Sequence, residues 1–239
     1  MAKAALVTGA AGGIGSAIVA RLEADGWDVH GVDVADADLT TREGNRAVVD
    51  AALERFGRLD AIVPNAGFQH VSSIPEFPEE QWDKLLALLL TSPFLLSKYA
   101  WSALAEGGDG RICVIASAHG LVASPFKAPY VAAKHGLIGL SKTVAVEVAE
   151  HGITSNTICP GYVRTPLVDG QIAEQAKAHG ISPENVIRDV LLAHQARKSF
   201  VTVEEIAAIA LFLASDAAAS ITATALAVDG GWQFAEISQ

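Results

Sequence analysis

Between Ser117 and Lys134 the chain reads SAHGLVASPFKAPYVAAK, and three residues in it have the types and spacing needed to move a proton. The apolar run RICVIAS (Arg111 to Ser117) predicts a buried strand, and Pro129 opens a helical pattern that puts Tyr130 and Lys134 four residues apart on one face. Ser117 then sits at the strand's end, facing that turn. A phenol with an ordinary pKa of about 10 is a poor base near neutrality, but an adjacent ammonium stabilises its phenolate and lowers that pKa. Tyr130 is therefore the candidate acid/base and Lys134 its tuner. The Ser117 hydroxyl is placed to hydrogen-bond the oxygen that gains or loses the proton. An isolated YxxxK is weak evidence, because a helix can carry both residues on a solvent or core face without using them.

The rest of the chain must supply the elements that hold these groups. With 239 residues, 51% of them hydrophobic, it can bury one sizeable core, and no Pro/Ser-rich linker or charge run divides it, so a single domain over residues 1–239 is expected. A formal net charge of −10, without basic clusters, argues against nucleic acid or a membrane as partner and points to small molecules. Cys113 lies inside a predicted strand and Cys159 follows another apolar segment, so no disulfide framework and no metal site is expected. The start, MAKAALVTGAAGGIG, carries glycines where a signal peptide needs an uninterrupted apolar region, and a cytoplasmic protein is expected. The longest apolar passage, Trp82 to Leu104, is interrupted by Asp83, Lys84, Ser92, Pro93 and Lys98. That fits a helix covered by its own sheet on one face and by another subunit on the other better than a membrane span.

In chain order, Lys3 to Thr8 predicts a short buried strand, followed by a glycine-rich turn and a helical pattern. Gly9, Gly13 and Gly15 permit a close backbone approach, and the helix N-terminus then offers free N–H groups to a pyrophosphate. A second strand, WDVHGVD, ends at Asp33, twenty residues after Gly13, where a carboxylate can accept hydrogen bonds from both ribose hydroxyls and repel a 2′-phosphate. No Arg or Lys lies near the glycines or just after Asp33, which favours NAD over NADP. Only four residues separate Asp33 from Asp38, far fewer than a helical crossover between parallel strands requires. The third strand of a doubly wound sheet is therefore expected to be short, displaced or absent, ahead of a helix from Asn45 to Phe56. The run LDAIVPNAG is then read as the fourth strand, with Asn65, Ala66 and Gly67 at its ligand-facing end.

After the central motif, ITSNTICPGYVRTP predicts another strand and a Pro-Gly turn. The polar stretch from Leu167 to Ser199 predicts two helices split at Gly180, with Ser182 and Pro183 opening the second, an insertion at the ligand edge fit to be a lid. Thr202 and Glu205 form a capping box for a helix to Ser215, and ATALAVDGGW supplies a last strand. The alternation predicts an α/β fold, a doubly wound, largely parallel sheet with helices on both faces.

With these residues in view, the chain resembles the short-chain dehydrogenase/reductase family over essentially its full length. TGAAGGIG (Thr8 to Gly15), NAG, Ser117 thirteen residues before Tyr130, YVAAK and PGYVRT (Pro160 to Thr165) fall in the family's order. The resemblance implies that Tyr130 is the acid/base, that Lys134 holds the nicotinamide ribose, that Ser117 positions the substrate oxygen, and that Thr165 contacts the carboxamide end of the cofactor. Ile14, Leu39, Gly161 and Val163 join Gly9, Gly13, Gly15, Asp33, Asp38, Asn65, Ala66, Gly67 and Pro160 as implied NAD contacts.

A narrower resemblance is to that family's D-3-hydroxybutyrate dehydrogenases, carried by GFQHV, IASAHGLVASPFKAPYVAAKHG, CPGYVRTPLV, QAKAHGIS, VIRDVLL and VDGGW. It implies that Gln69, His119, Lys127 and the lid residue Gln195 grip a substrate carboxylate, and it suggests a homotetramer. Lys127 lies three residues before Tyr130 and His119 two after Ser117, so donors suited to an anionic hydroxy or keto acid collect around the catalytic hydroxyls. Trp232 is expected to close an apolar pocket around the substrate methyl. The implied reaction is reversible oxidation of (R)-3-hydroxybutyrate to acetoacetate with NAD. Open alternatives are a reductase of another β-keto or β-hydroxy acid or acyl-thioester, and a catalytically silent NAD-binding relative. Three departures stand out: Leu89 replaces the asparagine many members place in the long apolar helix, the segment after Asp33 is short, and Pro64 replaces the first asparagine of the family's NNAG.

Overall fold

A computed structural model describes residues 2–193 and 195–237. Its strands are β1 (Ala4–Thr8), β2 (Asp28–Val32), β3 (Ala61–Val63), β4 (Arg111–Ile115), β5 (Thr154–Pro160) and β6 (Ala225–Val228). They form one parallel sheet in the order β2-β1-β3-β4-β5-β6. β1, β3, β4 and β5 are buried at every residue, as parallel strands covered on both faces must be, whereas edge strand β2 alternates between exposed and buried. The run LDAIVPNAG is thus the third strand in the chain, and it pairs directly with β1. Among the described residues, no strand stands beyond β2. Four residues after Asp33 cannot carry the crossover such a strand would need.

Successive side chains of each strand point to opposite faces, so the sheet separates two cores. On one face Ala5, Val7, Ile115 and Ile158 meet helices α1 (Gly13–Ala24) and α8 (Val203–Ala214) through Ile18, Leu22, Ile206 and Ala210. On the other, Leu6, Ile62, Ile112 and Val114 meet α2 (Arg42–Phe56), α4 (Ser92–Gly107) and α5 (Ala128–Val148) through Val48, Leu96, Leu104 and Leu137. The predicted capping box is present: the Thr202 hydroxyl accepts from the Glu205 amide at 3.2 Å, and the Glu205 carboxylate accepts from the Thr202 amide at 2.8 Å.

Helix α2 starts three residues earlier than its apolar pattern predicts, because Thr41 caps it by accepting from the Gly44 amide at 3.0 Å. Asn45 is consequently inside the first turn and fully buried. The long apolar helix runs from α3 (Glu79–Leu86) through a π turn (Ala87–Thr91) into α4. Pro93 has no N–H to give the Leu89 carbonyl one turn back, and the wider turn relieves the clash its ring would make there. By length and composition Glu79–Gly107 could cross a membrane, but Leu85, Leu89, Leu95, Leu96, Ala100 and Leu104 are buried inside the fold.

Beyond β5 lie α6 (Pro166–His179) and α7 (Pro183–Val186), the latter continued by a π turn to Leu191. Gly180 ends α6 in the left-handed region at φ +63°, and the Ser182 hydroxyl caps α7 by accepting from the Asn185 amide at 3.3 Å. Ile172, Val186 and Leu191 pack this segment together, with Tyr162 and Phe200 against them.

Candidate active site

The carboxyl ends of the strands open into a cavity of about 970 Å³. β4 delivers Ser117 to it: past Ile115 the backbone stays extended, and the Ser117 hydroxyl accepts from the His119 amide at 3.1 Å to start a single turn, Ala118–Gly120. Helix α5 delivers Tyr130 and Lys134 from its first two turns, with the Lys134 Nζ 5.6 Å from the tyrosine ring centroid. That ammonium is buried and donates to the Ile115 carbonyl at 2.8 Å, tying helix to strand end. Ser117, Tyr130 and Lys134, 17 positions apart at most, share one wall.

Burial dominates the electrostatics of this wall. It pushes Lys134 down to about 8 and pushes the Tyr130 phenol above its ordinary value, with the Ser117 hydroxyl pulling the phenol back by hydrogen bonding. The expected net lowering of Tyr130 by the lysine is therefore not what this chain shows. Desolvation of the phenolate outweighs the hydrogen bond from Ser117.

Beside these groups are the residues expected to hold a carboxylate. Gln69 lines the cavity and its buried Nε2 has no hydrogen-bond partner. Lys127 caps α5; burial pushes its pKa down, its Nζ stands 5.9 Å from the Tyr162 ring centroid, and it makes no ion pair among the described residues. Trp232 lines the same end, stacked edge-on with His119 at 4.9 Å and Tyr162 at 6.2 Å between centroids. His119 lines the cavity here too, with Nδ1 3.5 Å from the Ser117 Oγ and Nε2 2.9 Å from the Ser124 Oγ.

Gln195 is a correction. Its side chain is fully buried and does not line the cavity; Nε2 donates to the Arg197 carbonyl at 2.7 Å and to that of Ser199. It lies directly beneath Gly230, where a Cβ would come within 2.6 Å of it. The chain after Gln195 turns back on itself, and the amide satisfies that turn instead of reaching substrate.

The opposite end of the cavity fits a dinucleotide. Gly9, at φ +67°, passes so close to the next strand that a Cβ would come within 2.9 Å of the Ala66 backbone, and a Cβ on Gly15 would strike the Gly9 carbonyl. The N-cap of α1 is Gly12, with no side chain bonded to the first amides, so Gly13, Ile14 and Gly15 present theirs toward the cavity. Asn65 stitches β3 to this turn, donating to the Thr8 and Gly9 carbonyls at 2.9 and 3.2 Å, while the Thr8 hydroxyl accepts from the Asn65 and Ala66 amides. Ala66 and Gly67 line the cavity floor. The Asp33 carboxylate accepts from the Ala11 and Val34 amides at 2.9 and 2.8 Å, holding the end of β2 against the glycine turn. Asp38 and Leu39 line the far rim; Asp38 is held below the usual carboxylate range by the Thr40 hydroxyl and amide. Pro160, Gly161, Val163 and Thr165 bound the cavity from β5 onward, with Thr165 capping α6 and its methyl facing Gly13.

Three contributors were not singled out from sequence. Tyr162 supplies the aromatic face under Lys127; it lies inside PGYVRT, whose other members drew attention. Lys84 reaches the rim from α3, 5.7 Å from the Phe68 ring centroid, and only the helical register of the apolar passage could have pointed it there. Asn45 donates to the Leu39 and Thr41 carbonyls at 2.7 and 2.6 Å and accepts from the Ser92 hydroxyl at 2.6 Å, pinning the short segment that replaces the missing strand.

A glycine-rich strand–turn–helix and a Ser–Tyr–Lys set, facing one cavity at the carboxyl edge of a parallel sheet, define a nucleotide-dependent oxidoreductase. Residues 30–233 match the family model described as enoyl-(acyl carrier protein) reductase. The chain is 46% identical over 255 aligned positions to D-beta-hydroxybutyrate dehydrogenase of Rhizobium meliloti, covering 97% of this chain and 99% of that one. It is 40% identical to D-beta-hydroxybutyrate dehydrogenase of Cupriavidus necator, covering 96% and 97%. Among solved structures it superposes on a variant of actinorhodin polyketide ketoreductase with NADPH at a TM-score of 0.89, with 31% identity and 98% of each chain covered. The chain belongs to the short-chain dehydrogenase/reductase family, whose members use a nicotinamide cofactor.

Proposed function

We propose that this enzyme catalyses the reversible, NAD-dependent oxidation of (R)-3-hydroxybutyrate to acetoacetate. The observation that carries the reading is a pair of unmatched donors beside the catalytic tyrosine: a half-buried ammonium on Lys127 without an acidic partner among the described residues, and the buried, unpartnered Nε2 of Gln69. A small carboxylate satisfies both. Two relatives named D-beta-hydroxybutyrate dehydrogenase support the same substrate.

In this mechanism Lys127 and Gln69 hold the carboxylate, and Trp232 and Tyr162 cover the apolar end of the substrate. That sets the carbinol against the Ser117 and Tyr130 hydroxyls. Tyr130 removes the hydroxyl proton in oxidation and returns it in reduction, while Ser117 hydrogen-bonds the developing carbonyl oxygen. A bound nicotinamide cofactor would supply the hydride acceptor for the carbinol carbon. Gly13, Ile14 and Gly15 would hold its pyrophosphate, Asp33 its adenosine ribose and Lys134 its nicotinamide ribose. An Asp33 carboxylate at that ribose supports NAD over NADP.

The reading extends to a cytoplasmic homotetramer, supported by exposed apolar residues on the long helices, Phe94 on α4 and Val146 on α5, and tested by light scattering. The family model's acyl-carrier description favours a second reading, reduction of a β-ketoacyl thioester. Comparing 3-hydroxybutyrate with its methyl ester and with a thioester separates the two. Strong preference for the free acid supports the proposal, and preference for the thioester overturns it.

A further inference from the structure

We propose that Phe126 is a positioning residue: its left-handed backbone sets the place of Lys127 and, through one hydrogen bond, ties the loop that carries Gln69 to the same turn. The proposal rests on the carboxylate-holding roles given to Lys127 and Gln69 above and names what fixes the two donors relative to each other.

The starting observation is a conformation out of keeping with its residue. Phe126 has φ +67°, a region that glycine enters freely and that is costly for a residue with a Cβ; outside glycine, only Ala223 shares it among the described residues. Pro125 precedes it, and a residue of positive φ after proline is the pattern of a tight turn whose second central place glycine or asparagine ordinarily fills. The phenylalanine ring does not offset that cost. It is 57% exposed and pairs with no aromatic ring or cation among the described residues.

What the turn achieves lies in the backbone around it. The next residue is Lys127, the N-cap of α5, whose carbonyl accepts from the Val131 amide at 2.9 Å. The lysine is thus held by the helix on one side and by the turn on the other. The Phe126 carbonyl itself accepts from the Ser72 amide at 3.0 Å. Ser72 follows Gln69 by three residues, in a loop fastened by the edge-on contact of His70 with Phe77 at 5.3 Å and by the packing of Phe68 and Phe77 on Leu85, Leu89 and Ala133. A turn rebuilt at negative φ rotates the Phe126 carbonyl away from Ser72 and changes the line on which the chain enters α5. One backbone dihedral therefore governs both donors, and a strained residue beside a ligand clamp persists because its surroundings hold it.

The test compares wild type with Phe126→Gly, Phe126→Asn and Phe126→Val. Glycine and asparagine accept a positive φ and delete the ring, whereas valine, branched at Cβ, resists that conformation. The first readout is calorimetric binding of butyrate, a carboxylate with no reacting hydroxyl, to the enzyme–NADH complex; the second is KM for 3-hydroxybutyrate and for its methyl ester. Phe126→Val should weaken butyrate and raise KM for the free acid by about tenfold, with kcat, KM for the ester and NADH binding by fluorescence nearly unchanged. Phe126→Gly and Phe126→Asn should stay within about twofold of wild type. Equal losses in all three variants would put the role in the ring, and wild-type butyrate binding in Phe126→Val would leave the turn without one; either result overturns the proposal. In a Lys127→Ala background, Phe126→Val should raise KM at most about twofold further, and a full tenfold rise there also overturns it. A wild type that binds no butyrate defeats the carboxylate reading itself, and this proposal with it.

Discussion

The two ends of the cavity are built by different means. At the catalytic end the Ser, Tyr and Lys side chains are placed by regular elements: Ser117 by the end of β4, Tyr130 and Lys134 by consecutive turns of α5, with the lysine tied back to Ile115. At the adenine end the ligand-facing groups are mostly backbone amides and one carboxylate, and the sheet stops at β2. Val34 there is 85% exposed, since no further strand among the described residues covers it. Proton transfer and hydride alignment tolerate errors of a fraction of an ångström, whereas amide cradles and a ribose-binding carboxylate need only the first βα turn to be intact. Where the sheet stops, Asn45 holds the short segment after β2 to α2 and, through Ser92, to α4.

That contrast predicts effects that separate by parameter. The largest is at Tyr130: Tyr130→Phe should lower kcat by at least about 10³-fold while NADH still binds by fluorescence, because the proton carrier is gone and the cradle is not. Lys127→Ala should raise KM for the free acid by about 10- to 100-fold and leave the methyl ester unaffected. Equal losses on both substrates would move Lys127 out of the substrate end. Asn45→Ala should raise KM for NAD several-fold with kcat nearly unchanged and cost about 2 kcal/mol in denaturant unfolding, since it takes the side-chain partner from the buried Leu39 carbonyl and from the Ser92 hydroxyl. A fall in kcat instead would show that the two ends are mechanically coupled.

The smallest effect concerns pH. With Tyr130 held above its ordinary value by burial, the phenol form prevails at neutrality. Carbonyl reduction needs that form as proton donor, and alcohol oxidation needs the phenolate. Oxidation should therefore quicken as pH rises from 6 to 8, while reduction stays nearly flat. Parallel pH profiles of kcat/KM in both directions check this.

Much of this was legible in the residues. Apolar runs marked the strands, the Thr202–Glu205 box marked α8, and counting four residues between Asp33 and Asp38 was enough to remove a strand. The spacing of Ser117, Tyr130 and Lys134 placed them on one wall because a strand end and a helix start have fixed geometry. What stayed hidden depended on how distant segments fold back. Gln195 looks like a lid donor in sequence, yet its amide is taken by the turn at Arg197 and Ser199 under Gly230. Asn45 looks like the first residue of a helix, and only the capping by Thr41 moves it inside, against Leu39 and Ser92. The raised tyrosine was missed because burial is a property of the whole fold, whereas the lysine four residues away is visible in a line of text.

The most direct measurement is NADH absorbance during incubation of the purified enzyme with each enantiomer of 3-hydroxybutyrate, with NAD and then with NADP. Turnover with the R acid and NAD, at least about 10-fold over the S acid and over NADP, is the predicted result, with Tyr130, Lys127 and Asp33 each in its assigned place. Turnover that favours the S acid or NADP, or none on either acid while NADH binds, would contradict it.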